Sequence, residues 1–102
     1  MTKDTKRTMY AIAFDLDQAM LKDTYHNASY QNAYGDIKKA LEEKGFTRQQ
    51  GSVYFGGPEM TAVKCVLAAQ ALSRDFPWFK PSVSDIRMLR IEEMNDLSEA
   101  LL

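Results

Sequence analysis

The feature that most constrains this chain is MYAIAFDLD, Met9 to Asp17, an apolar run that stops abruptly on two carboxylates. Two-residue alternation predicts a strand with Tyr10, Ile12, Phe14 and Leu16 on one side and Met9, Ala11, Ala13 and Asp15 on the other. The large side chains mark a core face. The opposite face is built of small residues leading to an acid, which suits a surface that a partner subunit or a ligand approaches closely. A plainer reading is that Asp15 and Asp17 simply end the strand, because acids are depleted in strands and common just after them.

The rest of the chain supplies a frame for that strand. Gln18 to His26 reads as a loop with some turn or helical character. Tyr30, Ala33, Tyr34, Ile37 and Leu41 recur at helical steps behind a cap at Asn27, and Gly45 ends the helix. FTRQQGSVYF, residues 46–55, predicts a hairpin turning near Gln50 and Gly51, with Val53 and Phe55 on one face and Ser52 and Tyr54 on the other. A second helix follows, with Pro58 in its first turn and an apolar stripe of Met60, Val63, Leu67 and Ala71, and it ends before Pro77. Gly56 and Gly57 are a weak phosphate-binding signal, and Glu59 would repel the anion.

Trp78 and Phe79 form an apolar knot. Ile86 to Glu92 is strand-like with apolar residues on both sides, which calls for cover on both faces or a bulge. Asp96 and Glu99 resemble a capping box for a short terminal helix. The order of elements is that of an α+β, ferredoxin-like βαββαβ domain: a four-stranded antiparallel sheet, two helices on one face, and a short C-terminal tail. Residues 9–102 form the single domain and residues 1–8 a flexible tail.

At 102 residues, 45% hydrophobic and 26% charged with a net charge of −1, the chain suits one soluble domain and excludes a protein wrapped in basic surface. The single cysteine, Cys65, lies in an apolar helical pattern and reads as a buried thiol, compatible with a cytoplasmic setting. No stretch is long and apolar enough for a membrane span or a signal peptide.

A ferredoxin-like sheet leaves one face bare, and one carrying Ala11 and Ala13 is too apolar to stay wet across its width. We therefore expect a homodimer through that face, which brings two copies of Asp15 towards a twofold axis. Such a pair favours a cation between them, and magnesium, with its oxygen preference, is the candidate held by Asp15.

MYAIAFDL, QGSVY at Gln50 to Tyr54, and SVSDIRMLRIE at Ser82 to Glu92 together resemble the virulence-associated protein D family, ferredoxin-like ribonucleases related to the small CRISPR-associated nuclease of spacer acquisition. The resemblance spans Met9 to about Asp96. It implies a homodimeric endoribonuclease, the toxin of a bacterial toxin–antitoxin pair, with RNA and a cognate antitoxin protein as partners. By position, Asp15 matches the acid that ends the first strand, Ser52 the serine of the QGS turn, and Asp85 the acid of an SVRDIR motif. Ser84 stands here where the family usually has arginine.

Those three are the candidate catalytic residues. Asp15 is suited to holding magnesium and Ser52 to orienting a phosphate, unless Ser52 only caps the hairpin. Asp85 either joins the site or pairs with Arg87. Arg48, Arg87 and Arg90 are candidates for substrate phosphates, and Tyr54 for stacking an RNA base, against plainer roles as edge residues and packing. His26, the only histidine, reads as a solvated surface residue. The alternative function is a non-catalytic nucleic-acid-binding or interaction scaffold of the same fold.

Overall fold

A computed structural model of the chain describes residues 8–26 and 29–101. Strand β1, Met9–Leu16, lies at the centre of the architecture. It pairs antiparallel with β3, Val53–Gly56, on one side and with β4, Val83–Ile91, on the other, and β2, Phe46–Gln50, completes the order β2-β3-β1-β4. Residues 1–7, most of the expected flexible tail, fall outside the described residues.

The alternation in β1 has a structural counterpart. Ile12, Phe14 and Leu16 join one core with Leu21, Tyr25, Ile37, Leu41, Phe46, Tyr54, Cys65, Leu72, Trp78 and Phe79. All four α-helices contribute to that side, so among the described residues no α-helix covers the other face of the sheet. The buried Cys65 is part of this core, as expected.

The segment after β1 is more ordered than a loop. Asp17 accepts the Met20 amide at 2.9 Å and so caps helix α1, Gln18–Thr24. Helix α2 covers Asn32–Glu43 and buries Ala33, Ile37 and Leu41. Its N-cap is Gln31, which makes no capping side-chain bond. Asn27, expected as the cap, lies outside the described residues. Gly45, at φ 95°, ends the helix in the left-handed conformation that favours glycine.

Helix α3, Ala62–Asp75, starts later than Pro58 because Thr61 accepts the Lys64 amide and sets the cap. Its buried stripe is Cys65, Ala68, Ala71 and Leu72. Of the stripe expected from sequence, Val63 and Leu67 are 67% and 56% exposed. The helix carries apolar residues on two faces, so periodicity alone selected the wrong phase. Trp78 and Phe79 are buried, and Phe79 opens a one-turn helix, α4, Phe79–Ser82.

The ambiguity of β4 resolves into apolar residues on both faces and the bulge, without the cover on both faces that was the other expectation. Met88 opposes Ile12 and Ile86 opposes Phe14 on the helix side, while Leu89 opposes Ala11 and Ile91 opposes Met9 on the bare side. Asp85 opposes Asp15 but Val83 opposes Leu16, leaving Ser84 as the extra residue of a β-bulge. After β4 the chain runs through residues 92–101 to a 3₁₀ turn at Ser98–Ala100, where the Asp96 carboxylate accepts the Ser98 amide.

Candidate active site at the acidic end of the sheet

Residues directly opposed in antiparallel strands share a face, so the register defines what the uncovered side presents. Along β1 it carries Met9, Ala11, Ala13 and Asp15. Val53 and Phe55 flank these on β3, and Asp85, Arg87, Leu89 and Ile91 on β4. Ala11 is fully buried although no helix covers it, between its register neighbours Phe55 and Leu89. The surface is apolar at its centre and charged at one end.

At that end Asp15 and Asp85 stand opposite each other. Directly opposed residues have Cβ atoms only about 4.5–5.5 Å apart, and like charges in that position are destabilising. The Asp85 carboxylate is attended by Arg87, whose Nε donates to its two oxygens at 3.2 and 3.1 Å. That hydrogen bond, and then the charge of Asp85, push the Arg87 pKa above its ordinary value. The carboxylate of Asp15 makes no hydrogen bond or ion pair with the described residues. A sheet that sets two acids face to face and compensates one of them breaks a local rule of stability, as functional sites commonly do.

The backbone around Asp15 is held on three sides. The Ser84 hydroxyl, on the bulge, donates to the Asp15 carbonyl at 3.2 Å. The Asp17 amide donates to the carbonyl of the fully buried Ser82 at 2.7 Å. The Phe14 amide donates to the Ser52 carbonyl at 3.1 Å, which sets the QGS turn beside the residue preceding Asp15. Gly51, at φ 44°, gives that turn its left-handed residue, and the Arg48 guanidinium donates to the Gly51 carbonyl at 2.9 Å.

Five of the residues singled out from sequence, Asp15, Ser52, Asp85, Arg87 and Arg48, therefore lie towards one end of the sheet, although Arg48, directly opposite the core residue Tyr54, is on its helix side rather than with Asp15, Asp85 and Arg87. Two do not. Tyr54 is 2% exposed and its ring stacks on Phe14 with centroids 6.1 Å apart, so it is core, and the base-stacking role gives way to packing. Burial pushes its phenol up, opposed by the charge of Arg48 and reinforced by Glu42. Arg90 sits opposite Tyr10 near the other end of β4 and pairs with Glu92 at 2.9 Å. His26 is exposed at the end of α1, its ring stacked on Tyr25. Sequence reasoning noted Ser84 as a lost arginine but missed its bond to the strand end, because a bulge becomes visible only when two strands are paired.

Among the described residues no group of three or more His, Cys, Asp or Glu side chains is placed to hold a metal ion. Magnesium needs less than that, binding through one or two carboxylates with retained waters and substrate phosphates. The hard oxygen donors of Asp15 and Asp85 fit such a requirement, with Asp15 the one free of a cation.

Residues 8–98 match the family model described as CRISPR associated protein Cas2. The chain is 53% identical to Endoribonuclease VapD 2 of Riemerella anatipestifer over 91% of its own length and 99% of the relative's. The chain belongs to the VapD family. Identity is 48% to the Endoribonuclease VapD homolog of Helicobacter pylori, over 91% of this chain and 96% of that one. It is 42% to Endoribonuclease VapD of Haemophilus influenzae, over 89% and 96%. The family-model match covers all four strands, so the acidic end of the sheet lies within the matched region.

Proposed function

We propose that this chain is an endoribonuclease that works as a homodimer through the bare face of its sheet, with the two copies of Asp15 at the dimer cleft. The observation that carries the reading is the opposition of Asp15 and Asp85 on a helix-free surface whose centre is apolar. Supporting it are the VapD relatives, each named an endoribonuclease. A twofold axis near Ala11 and Ala13 buries their methyls and draws four carboxylates and two Arg87 side chains towards one seam.

In this reading Arg87 receives a substrate phosphate at the seam, exchanging one acid for another, while Arg48, on the helix side of the edge strand β2, is left for RNA that passes beyond the seam. The Ser52 hydroxyl donates to a phosphate oxygen, its position set by the bond between its carbonyl and Phe14. Asp15 would hold magnesium, which when bound supplies electrostatic stabilisation of charge developing on the phosphate. Asp85 keeps Arg87 over the seam. With His26 stacked on Tyr25 beyond the end of α1, proton transfer falls to these carboxylates or to solvent rather than to imidazole.

Following its family resemblance, we assign the chain as the toxin of a bacterial toxin–antitoxin pair acting in the cytoplasm, with a cognate antitoxin protein as partner. No helix among the described residues is long and apolar enough to cross a membrane.

The test is incubation of purified protein with single-stranded RNA, in magnesium and in chelator, beside Asp15→Asn. Cleavage by the wild type and a loss of at least about a hundredfold in the variant are expected. Equal cleavage by both rejects Asp15. RNA binding without cleavage by the wild type establishes the non-catalytic scaffold instead. A cyclic phosphate on the products assigns attack to the 2′-hydroxyl, and a 5′-phosphate assigns it to activated water.

A further inference from the structure

The helix layer concentrates positive charge in one place, although the chain as a whole carries a net charge of −1. Between the C-terminal end of α2 and the flank of α3 lies a groove of ≈ 340 Å³ that takes Lys44 from the first helix and Lys64 and Arg74 from the second, with no acid in its lining. Ala68 and Ala71 are buried at its base, and Leu67 is its one large apolar side chain.

These cations are largely uncommitted. The Lys44 side chain makes no hydrogen bond or ion pair with the described residues. Lys64 places one donor 3.4 Å from the Glu59 carbonyl oxygen. Arg74 pairs with the adjacent Asp75 at 3.1 Å, an exposed contact of small worth that a phosphate can replace. Glu59 itself lines the adjoining recess with Lys44 and Lys64 and sets a negative boundary at that end.

The groove also has a direction. Helix α3 follows Gly56, which lies beside the Tyr10 carbonyl, and the chain after it returns through α4 to Val83, opposite Leu16. It therefore runs from the first residues of β1 towards the end that carries Asp15. Arg74, in its last turn, faces that end, and Lys64 stands ten residues back, roughly 15 Å along the axis at 1.5 Å per residue.

We propose that this groove binds the phosphate backbone of single-stranded RNA that continues beyond the seam, with Arg74 taking the phosphate nearest the acidic end and Lys64 and Lys44 those further along. The identity of the polyanion rests on the endoribonuclease reading given above. Cations spaced along a groove match a polymer that carries one charge per residue. A protein partner would find only Leu67 as an apolar anchor, less than the buried cluster at the centre of a typical interface. The groove lies on the helix side of the sheet, so it holds RNA without entering the chemistry at Asp15.

The experiment measures binding of the full chain to a fluorescein-labelled single-stranded RNA of about 20 nucleotides with 2′-O-methyl riboses, in chelator, by anisotropy over a salt series. Lys44→Gln, Lys64→Gln and Arg74→Gln together are expected to weaken binding about tenfold or more. The slope of log affinity against log salt is expected to become shallower by about 2, since each phosphate contact on a single strand contributes about 0.7. Lys38→Gln, Lys39→Gln and Lys80→Gln remove the same charge outside the groove and are expected to leave the slope unchanged. In cleavage of unmodified RNA the groove variant is expected to raise KM and keep kcat.

Equal affinity and slope for the wild type and the groove variant overturn the proposal and leave the cations to an acidic protein segment. An equal loss in both triple variants overturns it too, because general charge then does the binding. So does a fall in kcat at constant KM. Wild-type protein that binds no RNA rejects both this groove and the nuclease reading, whereas RNA held through the groove without any cleavage supports the groove and rejects the nuclease reading alone.

Discussion

The Phe14 amide donates to the Ser52 carbonyl across 3.1 Å, and through that one bond the hairpin turn is fixed next to the strand end that carries Asp15. Phe14 also stacks on Tyr54 and meets Phe79 edge-on, at centroid distances of 6.1 and 6.0 Å. One residue thus anchors the acidic end of the sheet to the core on its inner side and to the turn along its backbone.

The opposed acids give a prediction that concerns stability. Replacing Asp15 by Asn removes a like-charge pair from directly opposed strand positions, so the fold is expected to hold or to gain up to about 1 kcal/mol. Urea unfolding of the wild type and Asp15→Asn measures it. A clear loss of stability would show that Asp15 has a structural partner.

Core placement of Tyr54 separates its ring from its hydroxyl. Tyr54→Phe is expected to leave RNA affinity and cleavage at wild-type levels. Tyr54→Ala is expected to cost about 3–5 kcal/mol, as loss of a buried ring typically does. Thermal melts and RNA titration of the two variants check this, and a specific loss of RNA affinity in Tyr54→Phe would return the residue to the substrate surface.

Tyr25 makes stability depend on pH in the alkaline range. Burial, and then the hydrogen bond and charge of Asp36, whose carboxylate accepts the phenol at 2.6 Å, push its pKa up to about 12 from an ordinary 10.0. The raised pKa means that the folded chain keeps a proton the unfolded chain releases. The contribution is therefore complete below pH 10 and is lost as pH rises towards 12. Unfolding midpoints of Tyr25→Phe are expected to fall less steeply than those of the wild type across that window, and parallel profiles would contradict the assignment.

Gly56 is a site of close approach. A Cβ built there lies 2.5 Å from Met60 Cγ, 2.7 Å from Met60 Cβ and 3.1 Å from the Tyr10 carbonyl oxygen. Gly56→Ala is expected to destabilise the chain by about 1–3 kcal/mol, because the near root of the Met60 side chain has to move. Pairing the variant with Met60→Ala should recover part of that loss in the same unfolding assay.

What was legible in the sequence was what depends on neighbours along the chain. Alternation in β1 marked Ile12, Phe14 and Leu16 as core, Gly45 and Gly51 marked a helix end and a turn, and three short motifs in order carried the family. Helix α3 shows where that reasoning stops. Val63 and Leu67 match helical periodicity as well as Cys65 and Leu72 do, and only the packing of the helix on the sheet selects the buried side.

Asp15 and Asp85 are separated by most of the chain, and no local pattern says that they will face each other. That depends on strand register, and a shift of a single residue would send one of them to the opposite side of the sheet. The bulge at Ser84 is set by the same pairing. From its sequence alone this protein is a ferredoxin-like chain with carboxylates at strand ends. The tertiary structure brings those carboxylates onto one bare surface, because cross-strand hydrogen bonds and core packing choose the register that local propensity leaves open.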